Sequence, residues 1–245
     1  MSENYEINEK FGFECKNFLF EGRQARVIFP EKGRANGKWL LKTEYADAFP
    51  GFEIEMLKRG YHVAYVANIT RWMKPDDVDV KARFADFLHT ELGLSKKCVP
   101  VGMSCGGLHA VYFAAKYPSY IAALYLDAPV MNLLSCPAGV GGENPPDMLE
   151  EFTSHTGMTV SDLVNYRNHP IDRVPELIRA NIPIILVAGD SDSVVPYKLN
   201  GKELKRLYDE AGASLTLILK EGCDHHPHGL DDCTPIIEFV ERHYK

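Results

Sequence analysis

The six cysteines of this 245-residue sequence never occur as a C-x-x-C pair. That absence argues against a disulfide framework or a cysteine zinc site and fits reduced thiols in a chain of this size. No run of lysine and arginine is long enough to track phosphates, and the net charge is -7 with a pI near 5.7, so nucleic acid is not an expected partner. No apolar run could span a bilayer, and Met1 to Lys10 is polar and acidic without the apolar centre of a secretory signal. The expectation is a cytoplasmic protein with no membrane partner. Internal repeats and low-complexity linkers are also absent, so residues 1–245 are read as one domain.

What the sequence does have is alternation. Short β-rich runs at Ala25 to Phe29, Trp39 to Lys42, His62 to Ala67, Lys97 to Val101, Ala122 to Leu126, Ile182 to Val187 and Leu215 to Lys220 are separated by helical patterns. Those patterns fall at Phe49 to Arg59, Val80 to Glu91, Leu108 to Lys116, Tyr197 to Ala211 and Pro235 to Arg242. Strands alternating with amphipathic helices predict an α/β fold, a mostly parallel sheet covered on both faces. Residues 132–174 break the rhythm, with a polar start at Gly139, Gly141, Gly142, Glu143 and Asn144 followed by weakly helical sequence. A small cap over one end of the sheet is expected there.

The stretch VGMSCGG, residues 101–107, sets Ser104 in a G-x-S-x-G pattern between a strand and a helix. A sharp strand-to-helix turn strains its central residue and leaves no room for flanking side chains, which explains Gly102 and Gly106. It also lifts the serine hydroxyl off the sheet and aims the helix N-terminus at a developing oxyanion. The same residues would suit a glycine-rich turn capped by a serine. Cys105 is read as a packed thiol rather than a nucleophile, although a helix N-terminus would lower the pKa of an exposed thiol.

A serine hydroxyl needs a base, and the base needs a carboxylate to orient it. Two later loops offer these groups, each just after a predicted strand. AGDSDSVVP carries Asp190 and Asp192, and EGCDHHPHG carries His225, His226 and His228. Functional groups in open α/β sheets gather at the carboxyl ends of strands. The cluster of Asp224, His225, His226, His228, Asp231 and Asp232 matches no helical zinc spacing and is interrupted by Pro227, so no metal site is expected.

In the order serine, aspartate, histidine, with LYLDAPV, GDSDSVVP and HHPHG following the serine turn, the chain resembles the α/β-hydrolases from about Phe18 onward. Within them it is most similar to bacterial esterases and prolyl-oligopeptidase-like serine hydrolases. The resemblance implies an α/β-hydrolase fold with Ser104 as nucleophile. It makes Asp192 the acid ahead of Asp190 and Asp127, and His225 the base ahead of His226 and His228. It also implies an oxyanion hole with one donor at the N–H of Cys105. The second donor normally follows an early strand in an HG-type motif, and here Thr43, Glu44 and Tyr45 stand instead. The expected second donor is therefore a backbone N–H near Glu44 or Tyr45, and the bulk there favours a small acyl group. Pro100 is a further departure, because proline cannot donate to a central ladder. Arg71, Trp72 and Met73 are expected near the site, where the last two could line a pocket or pack under the insertion.

The implied activity is hydrolysis of a small-molecule carboxylic ester, small or polar in its acyl part, such as an acylated sugar. It proceeds through an acyl-enzyme and needs no cofactor. A peptidase or amidase with the same triad, or a non-catalytic ligand-binding relative, are the alternatives.

Overall fold

The computed structural model describes residues 5–142 and 146–245; Glu143 and Asn144 of the polar stretch fall outside the described residues. Among the described residues nine strands form one sheet: β1 (Tyr5–Lys10), β2 (Phe13–Phe20), β3 (Arg23–Ile28), β4 (Trp39–Lys42), β5 (His62–Val66), β6 (Val99–Met103), β7 (Leu124–Asp127), β8 (Ile184–Gly189) and β9 (Leu215–Lys220). Their order across the sheet is β1-β2-β3-β5-β4-β6-β7-β8-β9. The first three strands and the β3/β5 junction are antiparallel, and every later pairing is parallel. The helices are α1 (Gly51–Lys58), α2 (Pro75–Leu92), α3 (Cys105–Lys116), α4 (Pro146–Thr156), α5 (Val160–Asn165), α6 (Val174–Arg179), α7 (Gly201–Glu210) and α8 (Thr234–His243).

The period of two that defines a strand divides the core into two halves. Trp39, Leu41, Leu126, Ile184 and Leu186 point into one apolar layer with α2 and α3. Leu40, Tyr125, Ile185 and Val187 point into the other, with α1 and α8. Burial on both faces is why β4, β7 and β8 read as continuous apolar runs rather than as alternating ones. The hairpin of β1 and β2 was not among the expected strands. Phe11 (φ 56°) and Gly12 (φ 84°) form its two-residue turn. Its edge strand is polar and exposed, so it carries no apolar run to announce itself.

Three expected strands lie further along the chain, β8 by two residues at each end. β6 begins two residues later than its β-rich run, and β7 ends on Asp127 rather than before it. Pro100 does sit inside β6, opposite Leu41 of β4. The ladder to β7 accommodates it by breaking: Cys98 bridges Ile121, and regular pairing resumes only at Val101 opposite Tyr125. The missing N–H therefore falls in a gap between pairings.

The segment between β7 and β8 holds α4, α5, a 3-10 turn at Pro170–Arg173 and α6. Buried Asn200 ties its start to the fold. Its Oδ1 accepts the N–H groups of Met131 and Asn132, and its Nδ2 donates to Ser135 Oγ. Among the described residues no helix is long and apolar enough to cross a membrane.

Candidate active site

The carboxyl ends of β4, β6, β7, β8 and β9 bring together the loops that carry Glu44, Ser104, Asp127, Asp192 and His225. Ser104 occupies the turn from β6 into α3 with φ 51° and ψ -120°, a left-handed backbone that a residue with a Cβ adopts only under constraint. The constraint is visible on every side. The Ser104 N–H donates to Asp127 O at 2.9 Å, and Ser104 O accepts the N–H groups of Gly107 and Val130. A Cβ on Gly102 would stand 2.7 Å from Gly106 O, and one on Gly107 would stand 2.3 Å from Pro129 Cβ. Close approach thus requires glycine at 102 in the motif and at 107 just past it.

His225 connects the serine to an acid. Its Nε2 lies 3.0 Å from Ser104 Oγ and its Nδ1 lies 2.8 Å from Asp192 Oδ2. A carboxylate only accepts, so Nδ1 carries the proton and Nε2 presents its lone pair to the serine hydroxyl. Asp192 is 6% exposed, and its second oxygen accepts the N–H groups of Val194 and Val195. These bonds fix the carboxylate plane before the imidazole meets it. Asp190 stands apart: it accepts from Ser191 Oγ and Gly222 N, which is the turn-capping role aspartate commonly takes.

A second acid–imidazole pair lies beside the first. His228 Nδ1 is 2.7 Å from Asp127 Oδ1, while Asp127 Oδ2 accepts from the Gly229 N–H at 2.7 Å and the Tyr125 hydroxyl at 3.0 Å. Asp127 therefore serves His228 and not His225. The His225 and His228 rings meet edge to face at 4.8 Å between centroids, and His226 packs against both. Phe49 closes this cluster, stacked on His226 and edge-on to His228. Sequence reasoning missed this second pair and its aromatic wall. The close repetition of histidine in HHPH was the available signal, but the partner lies 101 residues earlier.

The loop after β4, which carries Glu44 and Tyr45, packs against the start of α3. Cys105 is its first residue, so helix geometry leaves its N–H without an intrahelical acceptor. A Cβ on Gly106 would lie 3.2 Å from Thr43 Oγ1 and 3.5 Å from Glu44 N, placing the loop after β4 directly against that first turn. The Thr43 hydroxyl donates to Gly106 O at 2.7 Å and holds the two together. The Tyr45 N–H is directed at Glu44 Oε1 at 3.3 Å, and Glu44 Oε2 accepts from Asn68 Nδ2 at 2.6 Å. Tyr45 has φ 49°, a second left-handed position in the same neighbourhood.

Cys105 is buried, and burial pushes its thiol up to about 11, which keeps the sulfur protonated at neutral pH. Tyr45 and Arg71 face it, and burial likewise raises the Tyr45 phenol well above its ordinary value. Arg71 also forms a bidentate ion pair with Glu151 of α4, linking the loop after β5 to the β7–β8 segment. Trp72 is buried edge-on against Phe152. Together with Met73, Leu108, Tyr112 and Tyr166 they line a cavity of about 680 Å3 between that segment and α3. Both readings of Trp72 therefore hold, since it packs under the insertion and lines a cavity.

The model of the family described as alpha/beta hydrolase fold matches residues 70–160, which include the serine turn but neither Asp192 nor His225. No curated protein matches the sequence. Among solved structures, a candidate dipeptidyl aminopeptidase IV from Bacteroides ovatus superposes with a TM-score of 0.68 at 12% identity, over 98% of this chain and 35% of that one. The acylaminoacyl peptidase of Pyrococcus horikoshii gives 0.67 at 12% identity, over 99% and 42%. An acylaminoacyl peptidase bound to Z-Gly-Gly-Phe-chloromethyl ketone gives 0.68 at 14% identity, over 99% and 41%. The chain thus spans about two fifths or less of the length of these structures. The chain has the α/β-hydrolase fold.

Proposed function

We propose that the protein is a serine hydrolase that cleaves carboxylic esters of small or polar acyl groups through an acyl-enzyme. The observation that carries this reading is the continuous hydrogen-bonded path from Ser104 Oγ through His225 to Asp192. In it, His225 Nε2 takes the serine proton as Oγ attacks the ester carbonyl. Asp192 holds the imidazole tautomer and stabilises the imidazolium that forms. The N–H of Cys105 and a backbone N–H of the loop after β4 receive the oxyanion, that of Glu44 ahead of Tyr45, whose N–H faces Glu44 Oε1. His225 then passes the proton to the departing alcohol, and water repeats the cycle on the acyl-enzyme. No cofactor takes part in these steps.

The crowding of Glu44 and Tyr45 against the first turn of α3 supports a small acyl group such as acetyl. The cavity lined by Trp72, Tyr112, Tyr166, Thr156 and Asn168 includes none of Ser104, Cys105, Asp192 and His225, so the alcohol part, such as a sugar, is assigned from the polar character of the sequence and not from that cavity. Peptide hydrolysis is the second reading, favoured by the likeness of the fold to structures described as peptidases. Hydrolysis of a p-nitrophenyl ester series, acetyl through long acyl, compared with aminoacyl p-nitroanilides, separates the two. Turnover fastest on the acetyl ester and absent in Ser104→Ala is the expected result. Preference for the anilides would establish the peptidase reading instead, and fastest turnover of long-chain esters would overturn the small-acyl assignment.

A further inference from the structure

The geometry points to a divalent-cation site made of His225, His226 and His228, at which a zinc-class ion reversibly blocks the hydrolase. The loop after β9 folds so that one ring nitrogen from each of the three lies within 4.8 Å of those from the other two. Linear spacing concealed this, because convergence comes from the loop and not from a helical repeat. Two of the imidazoles already have the support that metal-binding histidines require. His225 donates Nδ1–H to Asp192 and His228 donates Nδ1–H to Asp127, so each presents an Nε2 lone pair while a buried carboxylate fixes its ring. His226 is exposed and open to an incoming ion.

With a Zn–N bond of about 2.1 Å, tetrahedral ligands stand roughly 3.4 Å apart. Closing from 4.8 Å or less is a small movement, and exposed His226 has the freedom to supply much of it. Three imidazoles select zinc, copper or nickel over magnesium or calcium, which require oxygen ligands. The ion would take the lone pair that His225 otherwise offers to Ser104 Oγ, so binding and the attacking hydrogen bond are mutually exclusive. The blockade rests on the proposed hydrolase reading, whereas the binding itself does not.

The test therefore begins with a protein that cannot turn over. Ser104→Ala keeps all three imidazoles and is expected to bind one Zn2+ per chain by isothermal titration calorimetry, with no response to Mg2+. His226→Phe preserves a ring against Phe49 but removes the nitrogen, and placed in the same background it should weaken binding at least about tenfold. Cys223→Ser, which removes the nearest half-exposed thiol, should leave binding intact. In wild-type ester hydrolysis Zn2+ should inhibit, EDTA should reverse it, and His226→Phe should shift the inhibition by the same factor while folding and turnover without zinc persist. Failure of Ser104→Ala to bind zinc, affinity indifferent to His226→Phe, or affinity lost in Cys223→Ser would overturn the site. Zinc binding that depends on His226 in a protein with no esterase or amidase activity would uphold the site and sink the hydrolase reading instead.

Discussion

Two aspartate–histidine pairs stand side by side at the carboxyl end of the sheet, and they differ in almost nothing but what faces the far nitrogen. Asp192 and His225 are 2.8 Å apart, and Asp127 and His228 are 2.7 Å apart. Both carboxylates are buried and both have their remaining oxygen held by other donors. Only His225 reaches a hydroxyl, that of Ser104. A buried acid–imidazole pair is thus not in itself a catalytic device. Under the proposed reading it becomes one where a strained turn sets the Ser104 hydroxyl against Nε2; elsewhere the same chemistry braces a loop. Asp127–His228 pins the loop after β9 to the end of β7, and the His228 ring supports the edge of His225.

The comparison breaks most sharply at the serine. Ser104→Ala should lower kcat by about 10^4 to 10^6-fold with the fold intact; residual activity within tenfold of wild type would mean that another group attacks. Asp192→Asn should cost about 10^4-fold in kcat by favouring the wrong imidazole tautomer, whereas Asp127→Asn should cost only about tenfold, through slackened positioning of His225. Equal losses in the two variants would erase the distinction drawn between the pairs. On stability the order reverses in character. Asp127→Asn sets an amide against three donors and should destabilise by about 1–3 kcal/mol, read as a fall in Tm. Tyr125→Phe removes only one of those donors and should cost about 1 kcal/mol without changing kcat.

The mildest test contrasts these paired imidazoles with buried ones that lack a carboxylate at hydrogen-bond distance. Burial holds His62, His109 and His169 below the ordinary histidine value, His109 furthest. The unfolded chain takes up protons near pH 6.5 while the folded chain still refuses them, so stability is full above that pH and declines as pH falls below it. The urea midpoint should drop between pH 7.5 and 5.5, and His109→Gln should flatten that slope; an unchanged midpoint would refute the assignment.

Much of this was legible in the sequence, for physical reasons. β4, buried on both faces, reads as an apolar run, and β9 keeps an apolar alternation although it is an edge strand, so both were placed to the residue. The serine turn was legible through Gly102 and Gly106 on either side of Ser104, of which Gly102 is required by close approach of backbone. Asp192 and His225 follow strands, where loop chemistry is expected. The β1–β2 hairpin was not legible, since an exposed edge strand needs no apolar pattern. Nor was the Asp127–His228 pair, because its two halves lie on different loops and only the lateral order of β7, β8 and β9 brings them into contact.

The left-handed backbone at Ser104 has a consequence for how such a protein can change over time. Glycine would occupy that position more comfortably than any residue with a side chain, so stability taken alone favours the one replacement that deletes the hydroxyl. A lineage released from the need for chemistry would drift toward a sturdier, silent turn. Under the proposed reading, serine at φ 51° therefore keeps its hydroxyl at a position where the backbone alone would favour glycine.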